Sequence, residues 1–186
     1  MQMRKCIFLD RDGTVNQEVG YLRRLSQIEI LEGAAEGIRK WNENGFLVII
    51  VSNQSGIARG YFSLETARQI NAAIVQKLEH QGARIDDVYL CPHHEEGVLP
   101  EYAIRCTCRK PLPGLIWQAR DRYQIDLSQS YMIGDKESDL AAARNAGCRG
   151  ILVLTGYGRK EVHKITEKPY YIAKNLDDAA RMITGR

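Results

Sequence analysis

Short runs of continuously apolar residues alternate along this chain with segments of helical period, and that rhythm limits the folds open to it. The runs are Cys6–Leu9, Phe46–Val51, Val88–Cys91, Tyr131–Ile133 and Ile151–Leu154, with Tyr170–Ile172 as a short sixth. A strand with one wet face alternates apolar and polar residues; a run that is apolar throughout is covered on both faces. The intervening segments read as helices. Ala34–Asn44 carries Ile38 and Trp41 three apart, and Gly45 is its expected C-terminal cap. Ser63 is the expected N-cap of a long helix to about Gln81, with Ala67, Ile70, Ala73, Ile74 and Leu78 on its apolar face. Pro113–Tyr123 starts with proline at or near the first turn. Leu140–Ala146 is closed by Gly147, and Leu176–Ile183 is the last helix.

Doubly covered strands alternating with helices specify an α/β architecture: a doubly wound, Rossmann-like parallel sheet with helices on both faces. At 186 residues the chain is expected to form one domain over residues 1–186. In such sheets ligands bind beyond the carboxyl ends of the strands. Those ends carry Asp10 and Asp12, then Ser52 and Asn53, then Gly134 and Asp135. No internal repeat is visible. One segment, Pro92–Lys110, breaks the rhythm; it is polar, punctuated by Gly and Pro, and cysteine-bearing.

Charge excludes some partners. The 26 basic and 23 acidic residues are dispersed and leave a net +3, too little to argue for nucleic acid or a membrane surface. Nothing approaches the ~18 consecutive apolar residues of a membrane span. The first residues run into a strand without a hydrophobic leader, so a cytoplasmic protein is expected, and a monomer.

Four features converge on phosphate chemistry. Asp10-Arg11-Asp12-Gly13-Thr14 follows the first strand; two acids one residue apart can divide nucleophilic attack from proton transfer if the chain turns there. Ser52-Asn53-Gln54-Ser55-Gly56 follows the second, with a hydroxyl and backbone N–H groups suited to phosphate oxygens. Arg109-Lys110-Pro111 offers a fork and a point charge. Ile133-Gly134-Asp135-Lys136-Glu137-Ser138-Asp139 follows the fourth, with Asp135 placed as a magnesium ligand. Asp139, a turn later, is either a supporting acid or a complement to the helix N-terminus. Each alone is also compatible with an ordinary polar turn.

In type, order and position the four together resemble the haloacid dehalogenase superfamily of phosphatases, over roughly residues 5–154. The resemblance implies Asp10 as nucleophile and Asp12 as general acid/base. It implies that Ser52 and Lys110 hold the phosphoryl group, and that Mg²⁺ sits on Asp10, the Asp12 backbone carbonyl and Asp135.

The irregular segment has its own chemistry. The sequence holds five cysteines, an odd number, which argues against a disulfide framework. Cys6 and Cys148 read as inert thiols. Cys91, His93, Cys106 and Cys108 form a Cys₃His set suited to structural zinc in a loop over about residues 91–110, with His94 as the alternative imidazole. A reduced thiol cluster or a transient disulfide is the competing explanation. A closed zinc site would pin the adjacent Arg109 and Lys110.

No long cap insertion interrupts the chain, so substrate must be chosen by Glu18–Tyr21, Ser55–Tyr61 and the cysteine loop. With Cys108–Pro111 closing that loop, the arrangement resembles the branch holding heptose-bisphosphate 7-phosphatases and histidinol-phosphate phosphatases. Ser52–Phe62 is closer to the former; the latter typically begins this stretch Thr-Asn-Gln-Asp-Gly. The resemblance implies substrate contacts at Glu18, Val19, Gly20, Tyr21, Ser52, Asn53, Gln54, Ser55, Arg109, Lys110 and Lys136. Arg59 and Arg109 are the cations expected for the distal part of a phosphorylated sugar. The expected reaction is removal of the C7 phosphate of a heptose 1,7-bisphosphate. Histidinol-phosphate hydrolysis is the alternative; a polynucleotide 3′-phosphatase or a phosphorylated receiver-like switch is more remote.

Overall fold

The computed structural model describes residues 3–185. The elements run β1 (Cys6–Leu9), α1 (Ala34–Glu43), β2 (Leu47–Asn53), α2 (Ser55–Ala58), α3 (Leu64–Glu79), β3 (Asp87–Cys91), α4 (Gly114–Tyr123), β4 (Tyr131–Gly134), α5 (Glu137–Ala146), β5 (Arg149–Val153), α6 (Gly158–Glu161), β6 (Tyr171–Ala173) and α7 (Leu176–Thr184). The strands form one sheet in the order β3-β2-β1-β4-β5-β6, and every pairing is parallel.

The core follows from the doubly apolar strands. Ile7, Leu9, Val48, Ile50 and Ile133 face α1, α3 and α7, with Trp41 fully buried among them. Cys6, Phe8, Leu47, Ile49, Val51 and Met132 face α4 and α5. Chain order reverses between β1 and β4, the switch point where doubly wound sheets open a crevice. Leu9 is in register with both Ile50 and Ile133, so Asp10 emerges beside Val51 and Gly134.

Local signals act as expected at several ends. Ser63 Oγ accepts the Thr66 N–H at 3.0 Å and caps α3. Gly45 is left-handed, directly after the Asn44 cap of α1. Burial pushes the Cys6 thiol well up, and Cys148 to about 12.

Other boundaries are corrected. β2 continues to Asn53 because Ser52 and Asn53 pair with Leu90 and Cys91. The helix expected from Leu140 starts at Glu137: Asp139 Oδ2 accepts the Lys136 N–H at 3.1 Å, and this polar first turn has no apolar period to announce it. Helix α4 starts at Gly114 and not at Pro113, which stands at the cap position, next to the first turn. Helices α2 and α6 span four residues each, too short to leave a period in the sequence.

Candidate active site

Asp10 is anchored as β1 ends, its N–H donating to the Ile133 carbonyl at 2.9 Å. The chain then folds back sharply: the N–H groups of Val15 and Asn16 both reach the Arg11 carbonyl at 2.9 Å. Gly13 makes the turn possible with φ +83°, and a β-carbon there would collide with the Asp135 carboxylate. The same crowding brings β4's end against β1's end. A β-carbon at Gly134 would strike the Asp139 carboxylate.

Lys110 is delivered from the far side. The Asn53 side chain at the end of β2 exchanges two 3.0 Å hydrogen bonds with the Lys110 backbone, one as donor and one as acceptor. The Lys110 ammonium then donates to Asp10 Oδ1 at 2.7 Å and the Val51 carbonyl at 2.9 Å, and lies 2.6 Å from Asp139 Oδ1. Burial alone would push this ammonium down, but the carboxylates of Asp10 and Asp139 outweigh it and hold it above its ordinary value. Burial likewise opposes the charge on Asp10, yet Lys110 and then Lys136 hold that carboxyl below its ordinary range. Asp139 is raised, chiefly by burial. It fills both places allowed for it, pairing with Lys110 and capping α5.

Asp135 is completely buried. Its Oδ2 accepts the Tyr157 N–H at 2.8 Å, while its Oδ1 has no hydrogen-bond partner among the described residues. Among the described residues the closest cation to Oδ1 is Lys136 Nζ, at 3.8 Å. Burial first, then the charge of Asp10, push this carboxyl up to about 8. Oxygens of Asp10, Asp135 and Asp139 lie within 4.8 Å of one another. Asp139 already has a donor on each oxygen, whereas Asp135 Oδ1 lacks any. An oxygen-ligated divalent cation between Asp10 and Asp135 answers that deficit, and the donors suit magnesium.

These groups open into a cavity of about 400 Å³. Asp10, Asp12 and Lys110 lie at its base, with Asn53, Gln54 and Ser55 on one side. Glu18, Gly20 and Tyr21 supply another wall, Arg109 and Lys136 further cations. Lys136 Nζ is 3.4 Å from Glu18 Oε2 and sits over the Tyr157 ring at 4.9 Å. Ser138 and Tyr157 also line the cavity, though nothing in their local sequence singles them out. Four expected site residues lie outside this lining. Val19 is exposed and borders a neighbouring hollow. Ser52 is buried beneath the lining, its Oγ 2.5 Å from Gln54 Nε2. Asp135 lies beneath the lining too. Arg59 is turned to the cysteine loop, 3.3 Å from His94 Nε2 and 3.4 Å from Glu96. A larger groove of about 680 Å³ runs between α3 and edge strand β3, away from the acids and Lys110.

The cysteine loop closes on itself. Sulfurs of Cys91, Cys106 and Cys108 lie 3.1–3.6 Å apart, and His93 Nδ1 is 3.4 Å from Cys108 and 3.8 Å from Cys91. All five cysteines are unpaired thiols. A tetrahedral zinc with Zn–S bonds of ~2.3 Å has edges of about 3.8 Å, close to this spacing. Without a cation the set is inhospitable to thiolates: contact with Cys91, then burial, push the Cys108 thiol well up. His93 is the imidazole in the cluster. His94 turns away, accepting the Glu96 N–H at 3.2 Å. Arg109 is tied to the same loop through the His93 carbonyl, at 3.2 Å.

Comparison with known proteins agrees with this geometry. Residues 107–179 match the family model described as HAD-hydrolase-like. A D-glycero-D-manno-heptose-1,7-bisphosphate 7-phosphatase of Thermosynechococcus vestitus is 41% identical, over 97% of this chain and 95% of the relative. The D-glycero-beta-D-manno-heptose-1,7-bisphosphate 7-phosphatase of Pasteurella multocida is 39% identical, covering 98% of each. Among solved structures, the D,D-heptose 1,7-bisphosphate phosphatase of B. bronchiseptica, complexed with magnesium and phosphate, superposes with a TM-score of 0.87. It is 33% identical over 97% of this chain and 98% of that one.

Proposed function

The chain belongs to the D-glycero-D-manno-heptose-1,7-bisphosphate 7-phosphatase family of HAD-like hydrolases, and from that premise we propose that it removes the C7 phosphate of heptose 1,7-bisphosphate through an aspartyl-phosphate on Asp10. The observation that carries the mechanism is the buried Asp10–Lys110 contact at 2.7 Å, at the switch point and beside the unsatisfied Asp135.

The reaction divides into two balanced steps. A carboxylate oxygen of Asp10 forms a bond to phosphorus while the bond between phosphorus and the C7 oxygen breaks. The leaving oxygen takes the proton of the Asp12 carboxyl. Water then attacks phosphorus, gives its proton to Asp12, and restores the Asp10 carboxylate with release of phosphate. Asp10, the Asp12 carbonyl and Asp135 are the assigned Mg²⁺ ligands; the ion supplies charge that lets a carboxylate approach a phosphate dianion. Lys110 supports the equatorial oxygens, and Ser52 acts from beneath through Gln54. Proton transfer contributes only ~10²–10⁴ of an acceleration that reaches ~10²¹ for phosphate monoesters. Positioning and charge stabilisation must supply most of the rest.

Arg109 is assigned to the distal part of the substrate, including its C1 phosphate. Arg59 holds the loop that carries it. Heptose 1,7-bisphosphate is expected to show a higher kcat/KM than histidinol phosphate, whose far end is a cationic amine. Arg109→Ala should penalise the bisphosphate by roughly 10–100-fold, the value of one charge-assisted hydrogen bond, and a heptose 7-monophosphate much less. Equal losses on both, or preference for histidinol phosphate, would overturn the substrate assignment and leave the chemistry standing.

Structural zinc is assigned to Cys91, His93, Cys106 and Cys108. About one zinc per chain is expected by elemental analysis. Its removal, or Cys106→Ala, should lower activity by loosening Arg109 and Lys110. Full activity in zinc-free protein would refute this role. Among the described residues no helix is long and apolar enough to cross a membrane. We place the enzyme in the cytoplasm, where unpaired thiols persist. It acts there as a monomer and a single domain, its cavity furnished by one chain.

A further inference from the structure

We propose that Arg11 is a positioning residue that fixes which oxygen of Asp12 exchanges the proton, acting with Gln54 and anchored by Asn71. The inference rests on the assignment of Asp12 as general acid/base. Arg11 lies between the two motif acids, yet its side chain is only 1% exposed. Four of its five N–H groups have partners: one on Nε, one on Nη1 and two on Nη2. Nε is 3.1 Å from each Asp12 oxygen, and Nη2 donates to Asp12 Oδ2 at 2.7 Å. Nη2 also donates to Gln54 Oε1 at 3.0 Å, and Nη1 to Asn71 Oδ1 at 2.8 Å.

The consequence is asymmetric. Gln54 must present its amide oxygen to Arg11, so its amide nitrogen faces Asp12 Oδ2, at 3.0 Å. Oδ2 thus collects Nη2, a share of Nε and the Gln54 amide. Oδ1 receives only the shared Nε and keeps lone-pair capacity for a proton. A terminal carboxylate torsion is broad and nearly two-fold when free; here the planar fork closes it. Lysine could supply charge but not that geometry. Asn71 belongs to α3 and borders the groove beside β3, not the catalytic cavity. Among the described residues its side chain hydrogen-bonds only Arg11, and through Arg11 it reaches the reaction.

The test separates proton delivery from everything else by leaving group. A sugar alkoxide needs the proton; p-nitrophenolate leaves without one. Arg11→Lys should lower kcat on the sugar phosphate by about 10²-fold with KM within about twofold, while the p-nitrophenol burst from p-nitrophenyl phosphate stays within about threefold. Asn71→Leu should show the same split, about tenfold on the sugar ester; it decides the matter if Arg11→Lys does not fold. In an Asp12→Asn background, Arg11→Lys should cost less than about twofold more. Equal loss on both esters, no loss on either, or full additivity with Asp12→Asn would overturn the inference alone. Intact sugar-phosphate turnover in Asp12→Asn would instead overturn the role of Asp12 on which it stands.

Discussion

Asp10→Asn is expected to lower turnover by at least about 10⁴-fold while leaving the fold in place. The amide has nearly the shape of the carboxylate, and its oxygen can still accept from Lys110, now at 2.7 Å from Asp10 Oδ1. It is a poor nucleophile, so the phosphoryl group has nowhere to go. Lys110 keeps Asp139 at 2.6 Å, so the site does not lose all compensation for its cation. The thermal midpoint should move by only a few degrees, about what 1–2 kcal/mol does in a chain of this size. Acid-quenched mass spectrometry should find a phosphoryl adduct on Asp10 in the parent enzyme and none in the variant. Near-normal phosphate release from Asp10→Asn would sink the covalent mechanism.

Lys110→Met should damage both rate and stability. It removes the only side-chain cation within hydrogen-bond distance of Asp10 among the described residues, in a pocket that also holds Asp135 and Asp139. Losing one preorganised charge at a transferring phosphoryl group should lower kcat about 10²–10³-fold. Breaking a buried pair by removing one partner costs about 3–5 kcal/mol when the remaining charge cannot escape. Here it can escape by taking a proton, which makes the penalty depend on pH. In the parent, Lys110 is the main attraction that depresses Asp10, and the attraction that partly offsets burial at Asp139. Without it Asp10 loses the main charge that opposes its burial and shifts upward, and Asp139, already raised, rises further. An acid raised in the folded state loses native stability as pH climbs from the unfolded pKa through the folded one. The deficit should therefore be larger at pH 8 than at pH 5 in magnesium-free denaturant titrations. A deficit independent of pH, or larger at pH 5, would show that the cation is not what neutralises this cluster.

The fold was legible because its signal is local. Apolar runs without alternation mark strands covered on both faces, and a polar residue after such a run marks a strand end. That logic places Asp10, the pair Ser52 and Asn53, and Asp135 at strand ends from the sequence alone. The three cysteines and two histidines between residues 91 and 108 were legible as a donor cluster by composition alone. The start of α5 was less legible. Its first turn is held by Asp139 against the Lys136 N–H, a bond that involves no apolar residue.

The sequence by itself determined where the strands lie and, through them, which acids meet at the switch point. Tertiary structure alone decided where each long side chain goes. Arg59 follows Ser55–Ala58 in sequence but turns to Glu96 and His94. His93 and His94 are adjacent, and only the closure of the loop selects the first for the cluster. Arg11 reads as a spacer between two aspartates. Its burial depends on Gln54 and Asn71, which lie 43 and 60 residues away. The reason is physical. Backbone hydrogen bonding and burial impose short periods that a local window can register. A side chain with three or four rotatable bonds takes its place only from partners that folding brings to it.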